Sequence, residues 1–132
     1  MLRIGIDIGG TSADICLIKD GQYELTNNGR VGDWPLSFPM LDINTIGAGG
    51  GSIGWIDEGG LLRMGPQSAG ADPGPACYGR GGTKPTVTDA DLQLGYLDPN
   101  FFAGGKIRLD AVATTASIES EIGKPLGMTA EE

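Results

Sequence analysis

Three glycine-rich stretches hold the residues whose types and spacing could do chemistry, and the first covers residues 5–11. It reads Gly-Ile-Asp-Ile-Gly-Gly-Thr, and Asp14 follows three residues later. A turn without Cβ atoms lets a phosphate approach backbone N–H groups, which together form an anion-binding nest. Thr11 adds a hydroxyl donor, and Asp7 could hold a hydrated Mg²⁺ near that phosphate. The spacing alone also fits an ordinary hairpin with a solvated aspartate.

The second stretch covers residues 45–52 and has glycine at four of five consecutive positions, 47 to 51. Such a loop allows close approach of a nucleotide or a second chain. It formally matches G-x-G-x-x-G, but the residues after it alternate like a strand, whereas the dinucleotide fingerprint must open a helix. The sequence also has no Gly-Lys-Ser/Thr, so it lacks a Walker A loop. A ligand-binding loop and a flexible connector both remain open.

The third stretch, residues 68–82, contains Cys77 and Arg80. The sequence has no His, which excludes Ser-His-Asp and Cys-His catalysis within this chain. Cys77 could be a nucleophile, but Arg80 is its only nearby cation, so a buried structural cysteine is favoured. A solvated surface position is favoured for Arg80 over an anion site.

Composition limits the function classes. The chain has 132 residues, with 9 Lys+Arg against 17 Asp+Glu and a net charge of −8. An acidic chain without a basic stripe is a poor binder of nucleic acid or anionic membranes. No apolar run approaches the ~18 residues of a membrane span, and no signal peptide is visible, so we expect a cytoplasmic protein. Two cysteines without Cys-x-x-Cys indicate neither a disulfide framework nor a zinc site.

The glycine stretches must be positioned by a sheet. Residues 2–8 alternate between apolar side chains and Arg, Gly or Asp, which predicts a β-strand. Gly9-Gly10 predicts a turn into a second strand, and Lys19-Asp20-Gly21 predicts another. We predict further strands at residues 12–18, 22–27, 41–46, 52–57 and 61–64, and an extended edge segment at 28–40.

The second half predicts a long loop and two helices. Residues 65–86 are rich in Gly, Pro and Ala without periodicity, which indicates a mobile or functional loop. Thr88 or Asp89 can cap a helix that reaches Leu97. Asp110 can cap a second helix at 110–122, which we expect Gly123 and Pro125 to stop.

Three further acids stand near loops, namely Asp42, Asp89 and Asp91. A carboxylate pair among them could do acid–base or metal chemistry. Turn and cap positions are their simplest roles.

Residues 7–14, 45–52, 68–82 and 84–90 together resemble the hydantoinase A/5-oxoprolinase family, in the same order. That family also contains the ATP-dependent subunits of acetone and acetophenone carboxylases. The resemblance runs from about residue 7 to the end of the chain. Asn44 departs from it, because the family often has a His at that position.

The resemblance implies an α/β fold. An antiparallel-led sheet with two C-terminal helices would form a ribonuclease-H-like half of an actin/sugar-kinase-like ATPase. ATP and Mg²⁺ would be the cofactors, and phosphorylation of an amide oxygen would make a cyclic amide attackable by water. The implied nucleotide-binding residues are Asp7, Gly9, Gly10, Thr11, Ser12, Asp14, Gly47, Gly49, Gly50, Gly51 and Ser52, with Asp7 also at the Mg²⁺.

Family members are several-fold longer than this chain. We therefore expect one domain over residues 1–132, with a deletion junction near 7–12, where two similar glycine turns would have been joined. The function implied is part of an ATP-dependent cyclic-amide hydrolase, inactive or weakly active alone. The alternatives are a non-catalytic remnant that self-associates and an unrelated small acidic binding module. The expected partners are a cyclic amide and either a second copy or a hydantoinase B-type subunit, with no nucleic acid and no membrane.

Overall fold

A computed structural model describes all 132 residues of the chain except for the side chain of Val31. The chain divides into two compact units, and the single domain over residues 1–132 stays a prediction. The first unit comprises Met1–Ile8 and Ser12–Ile46, and the second comprises Gly9–Thr11 and Gly47–Glu132.

The first unit is built from short antiparallel strands. They are β1 (Leu2–Ile8), β2 (Ala13–Lys19), β3 (Gln22–Tyr23), β4 (Leu25–Thr26), β5 (Arg30–Val31), β6 (Trp34–Pro35), β7 (Met40–Leu41) and β8 (Ile43–Ile46). Strand β2 is central, since it pairs with β1, β3 and β8 in a four-stranded sheet. Strands β4 and β7 form one two-stranded ribbon, and β5 and β6 form another. The antiparallel meander predicted for the opening residues is thus confirmed.

Two predicted strands of this unit are each divided in the structure. The prediction of a single strand at 22–27 is wrong, because Glu24 separates β3, which pairs with β2, from β4, which pairs with β7. The prediction at 41–46 is wrong in the same way, since β7 pairs with β4 whereas β8 pairs with β2. The Asp42 amide donates to the Glu24 carbonyl at 3.0 Å, which connects the two residues at which the predicted strands divide. Residues 28–40 contain the β5–β6 hairpin rather than one extended segment.

The alternation of β1 leaves an exposed apolar face on the first unit. We call Leu2, Ile4, Ile6 and Ile8 the isoleucine face, and its side chains are 60–67% exposed. Across the register from them, β2 places Ile15 and Leu17. Isolated surface apolar residues are normal, but a contiguous apolar patch on a sheet marks a contact surface.

The second unit combines a hairpin with helices. Its elements are β9 (Ser52–Ile56), β10 (Leu62–Ser68), a 3₁₀ turn (Ala76–Tyr78), α1 (Val87–Gln93), α2 (Ala111–Ile118), a π-helical turn (Glu119–Gly123) and α3 (Lys124–Leu126). The buried core centres on Cys77, Leu92 and Leu109. The rings of Tyr78 and Phe102 pack beside it with centroids 5.7 Å apart. Helices α1 and α2 correspond to the two helices predicted near the C-terminus.

The segment predicted as a loop, residues 65–86, is partly a strand and partly buried. Its first residues continue β10 as far as Ser68, past an irregularity in the ladder after Met64. Its middle, from Pro75 to Cys77, is buried in the core of this unit. Only part of the segment is therefore an irregular surface loop.

The helix boundaries partly differ from the predictions. Helix α1 begins at Val87 and is capped by Thr86, so the prediction of a cap at Thr88 or Asp89 is wrong by a few residues. Asp110 caps α2 as predicted, because its carboxylate accepts the amides of Val112 and Ala113.

The predicted stop at Gly123 and Pro125 is wrong. Helical structure continues through a π-helical turn into α3 and ends at Gly127, which has φ of +69°. A wide π turn displaces the carbonyl that a proline ring would otherwise contact, so the chain can continue through Pro125.

Within the part of the chain that the structure describes, no helix is long and apolar enough to cross a membrane.

Candidate functional site

The first glycine turn, Gly9–Thr11, lies exposed in the second unit. Its carbonyls are engaged, because Gly9 O and Gly10 O accept hydrogen bonds from the second glycine stretch at 3.3 and 2.7 Å. Among the described residues, the amides of Gly10 and Thr11 meet no backbone acceptor. The turn therefore leaves two exposed N–H groups without a backbone partner while two of its carbonyls are bonded within the unit, a polarity that suits an anion.

The second glycine stretch is packed behind this turn. The amides of Gly50 and Gly51 donate to Gly9 O and Gly10 O, and the amide of Gly49 donates to Ser52 Oγ at 2.9 Å. The expectation that bare amides of this stretch face a polyphosphate therefore does not hold for these three amides. Gly49, Gly51 and Ser52 are buried, and the bonds to the first turn come from the amides of Gly50 and Gly51.

The close approach of the two turns requires glycine at position 51. A Cβ there would lie 2.7 Å from Gly10 O and 2.8 Å from Ser68 Oγ. Gly10 and Gly47 differ, because a Cβ at either would meet no atom within 4 Å. Glycine is thus required at position 51 for packing, whereas at positions 10 and 47 the absence of a side chain leaves open space that a ligand could use.

The acids of the first stretch lie in the first unit. Asp7 and Asp14 face each other across β1 and β2. Asp14 accepts a hydrogen bond from Thr45 Oγ1 at 2.6 Å, and Ser12 is half-buried just before β2. Two carboxylates and a hydroxyl are oxygen ligands of the kind Mg²⁺ takes, usually with several waters retained. Among the described residues, His, Cys, Asp and Glu side chains form no group of three able to hold a metal.

Asp89 is the polar centre of the second unit. Its fully buried carboxylate accepts the amides of Ala76, Cys77 and Thr86 at 3.2, 2.8 and 2.9 Å. It also accepts the hydroxyls of Thr86 and Thr114 at 2.8 and 3.3 Å. Asp89 is not the cap residue of α1, but it is the acid of the capping box whose cap residue is Thr86. A buried carboxylate needs this many donors because burial removes its water.

Cys77 is a structural cysteine, as the sequence favours. Its side chain is fully buried, and burial, reinforced by the nearby charge of Asp89, raises its pKa to about 12. A thiol with that pKa is protonated at neutral pH and is a poor nucleophile. Arg80 is exposed and stacks over the Tyr78 ring at 5.9 Å, consistent with a surface position.

Sequence reasoning missed one residue of the site, Thr88. Its amide and its Oγ1 both donate to Gly50 O, each at 2.9 Å. The sequence presents Thr88 only as a candidate helix cap, since the fold alone brings it to a glycine 38 positions away.

A separate groove of about 610 Å³ opens elsewhere in the second unit. Apolar side chains dominate it, among them Leu62, Met64, Ile118 and Ile122. The glycine turns do not line this groove, so the candidate anion site and the apolar groove are distinct features.

Comparisons with known proteins match nearly the whole chain. The family model for hydantoinase/oxoprolinase covers residues 2–132. The caprolactamase subunit alpha of Pseudomonas jessenii is 48% identical over 128 residues, covering 97% of this chain and 18% of that protein. The acetophenone carboxylase gamma subunit of Aromatoleum aromaticum is 41% identical over 124 residues, 92% of this chain and 17% of that protein.

Solved structures have the same fold. The crystal structure of the ATP-dependent caprolactamase from Pseudomonas jessenii superposes with a TM-score of 0.85 at 47% identity, covering 99% of this chain and 19% of that chain. A nucleotide-free acetone carboxylase gives 0.82 at 35% identity, covering 96% of this chain and 18% of that chain. The chain thus spans about a fifth of the length of these relatives.

Proposed function

The chain belongs to the hydantoinase/oxoprolinase family, and on that premise we propose that it is the ATP-binding portion of an ATP-dependent hydrolase acting on cyclic amides. Two relatives of known structure are described as ATP-dependent, a caprolactamase and an acetone carboxylase. A 5-oxoprolinase of Pestalotiopsis fici is a further relative, 53% identical over 94 residues. Because the chain is about a fifth of such proteins, we propose that it is inactive or weakly active alone.

The first glycine turn is the observation that carries this proposal. Its exposed amides at Gly10 and Thr11 are free, and its carbonyls are fixed from behind by Gly50 and Gly51. A turn held in this way presents N–H dipoles to an anion without reorganisation when the anion arrives. In this proposal the ATP phosphates contact Gly10 and Thr11.

The remaining predicted site residues have two roles in the proposal. Gly49, Gly50, Gly51 and Ser52 form the wall behind the phosphate turn, and Gly47 leaves space for the ligand. Asp7, with Asp14 opposite and Ser12 at the strand end, holds Mg²⁺ through its carboxylate. ATP would supply a phosphoryl group to the amide oxygen, which would make the amide carbon electrophilic enough for attack by water.

The wider architecture belongs to the same proposal. We propose that the chain corresponds to a ribonuclease-H-like half of an actin/sugar-kinase-like ATPase. A single half offers few groups to offset the ordering cost of a nucleotide, so weak binding is expected. Relatives named as alpha, beta and gamma subunits support a partner subunit in the complete enzyme, and we propose a hydantoinase B-type subunit for that position.

A second function, self-association without catalysis, is favoured by the isoleucine face. Its four side chains, Leu2, Ile4, Ile6 and Ile8, are more than half exposed. A non-catalytic remnant of the same fold would use that face to bind a second copy.

Nucleotide titration of the full chain by calorimetry, with and without Mg²⁺, tests the first function. Binding that strengthens with Mg²⁺ supports the ATP-binding portion, whereas absence of heat at millimolar ATP contradicts it. Gly10→Val is the diagnostic variant, because its Cβ meets no protein atom within 4 Å and its backbone has no positive φ. It should weaken ATP binding at least tenfold with unchanged unfolding, while Thr83→Val, at an exposed loop position, should bind normally.

A further inference from the structure

One threonine on α1 is bonded twice to the second glycine stretch. Gly50 O accepts the Thr88 amide and the Thr88 Oγ1, both at 2.9 Å. Thr88 is 7% exposed, so water competes little for either bond. A Cβ on Gly50 would lie 2.7 Å from Thr88 Oγ1, so the hydroxyl occupies the space that a side chain would need.

The Gly50 peptide connects α1 to the proposed phosphate turn. On one side its carbonyl is held by Thr88, and on the other its amide donates to Gly9 O at 3.3 Å. The neighbouring Gly51 amide donates to Gly10 O at 2.7 Å. The Gly50 carbonyl and the Gly51 amide belong to one planar peptide group, so rotation of that group would directly disturb the bond to Gly10 O.

The capping box fixes Thr88 in turn. Thr88 is the second residue of α1, and amides in a first helical turn have no partner within the helix. Thr86 and Asp89 cap this turn through their side chains, and Gly50 O satisfies the Thr88 amide. The hydroxyl of Thr88 is a second donor to the same oxygen, which restricts its direction as well as its distance.

We propose that Thr88 is a positioning residue for the phosphate turn, an inference that rests on the proposed function. Thr88 bonds to no residue of the first turn directly. Its hydroxyl orients the Gly50 carbonyl and with it the Gly51 amide of the same peptide group, which holds Gly10 O, while the Gly50 amide holds Gly9 O. The carbonyls of Gly9 and Gly10 share their peptide groups with the amides of Gly10 and Thr11, so they set the direction of those amides. Thr88→Val replaces the hydroxyl with a methyl group and keeps the backbone amide and the branched side-chain shape.

The test compares three variants of the full chain. Thr88→Val should weaken ATP binding about fivefold, the effect of one hydrogen bond of about 1 kcal/mol. Thr88→Ser should restore binding, because it restores the hydroxyl. Thr115→Val is the matched control, since Thr115 Oγ1 bonds Gln93 Oε1 at 2.9 Å on a helix away from the turn. Unfolding in urea reports the stability of each variant.

An NMR measurement without nucleotide separates this inference from the proposed function. The amide resonances of Gly10, Thr11 and Gly51 should shift in Thr88→Val, return in Thr88→Ser and stay in place in Thr115→Val. If the wild type binds no ATP but these shifts occur, the proposed function fails while the positioning role stands. Unmoved resonances in Thr88→Val, or a failure of serine to restore them, overturn the positioning role.

Discussion

The glycines of the two turns differ in what they do. At Gly51 a Cβ would lie 2.7 Å from Gly10 O, the same oxygen that accepts the Gly51 amide. The Gly51 backbone and Gly10 O cannot move apart to relieve this contact without breaking that hydrogen bond. Gly51→Ala should therefore lower the free energy of unfolding by about 1–3 kcal/mol, the usual cost of overpacking. Urea titration measures it, and a variant as stable as wild type would contradict the close packing.

Gly47→Ala is the matched control for that experiment. Its Cβ meets no atom within 4 Å and the residue has no positive φ. Alanine there reduces the freedom of the unfolded chain, so stability should stay equal or rise by about 0.4–1 kcal/mol.

The two cysteines should differ in reactivity. Cys77 is fully buried with a pKa raised to about 12 by burial, whereas Cys16 is half-buried in the first unit. Iodoacetamide at pH 8 should modify only Cys16 in the native protein and both thiols in denaturant, as mass spectrometry can count. Modification of Cys77 in the native state at the rate of Cys16 would contradict its burial.

The raised pKa of Cys77 also sets a pH dependence. The ordinary pKa of 9.0 applies to the unfolded chain, and the folded value is about 12. The folded state therefore holds the proton more tightly, and its stabilising contribution is present below pH 9. It is lost as the pH rises from 9 towards 12. Cys77→Ser should not be used to test this, because it changes the buried hydrogen bonds.

At the scale of elements, Asp89 joins three parts of the second unit. Its carboxylate holds the start of α1 through Thr86, the 3₁₀ turn through Ala76 and Cys77, and α2 through Thr114. Each of these groups donates, so a carboxylate is the chemically matched acceptor. One side chain thereby sets the relation of two helices and an irregular segment.

Asp89→Asn should destabilise the protein by about 3 kcal/mol, because the new NH₂ group would face amide donors and leave them unsatisfied. Asp91→Asn, on the same helix and half-buried, is the control and should change stability by about 0.5 kcal/mol or less. Urea or thermal unfolding measures both. Equal effects of the two substitutions would contradict the role of Asp89 as the shared acceptor.

The elements show where sequence reasoning succeeds. Local rules predict β1, β2 and the cap at Asp110, because alternation and capping depend on neighbouring residues. The turn after β2 is also predictable, since Asp20 and Gly21 both have positive φ. The division at Asp42, where β7 pairs with β4 and β8 pairs with β2, cannot be predicted from neighbouring residues, because it depends on strands that are distant in the sequence.

The candidate site was predictable only in part. Glycine spacing indicates both turns, and the structure brings Gly9–Thr11 together with the second stretch. Spacing cannot show that the amides of Gly49, Gly50 and Gly51 are already bonded within the protein, since that depends on tertiary contacts. The same holds for Thr88, which reaches Gly50 across 38 positions. Nucleotide binding at these residues, and the deletion junction near residues 7–12, stay predictions.

At the scale of the whole molecule, the isoleucine face and the net charge act in opposite directions. The face exposes Leu2, Ile4, Ile6 and Ile8, and burying each side chain against a second copy would remove apolar surface from water. The net charge of −8 makes two copies repel each other at low ionic strength. Salt screens that repulsion over about 10 Å at 0.1 M without weakening apolar contact. Self-association should therefore strengthen as salt is raised.

Ile6→Asp tests whether this face forms the dimer we propose. Ile6 is 60% exposed, so the substitution removes little packing within the chain, but in a dimer it would bury a charge without a partner. Sedimentation at micromolar concentration should show a salt-strengthened dimer for wild type and a monomer for Ile6→Asp. Thr83→Asp adds the same charge at an exposed loop position and should stay dimeric. A monomeric wild type would contradict self-association, and a dimeric Ile6→Asp would place the contact on another surface.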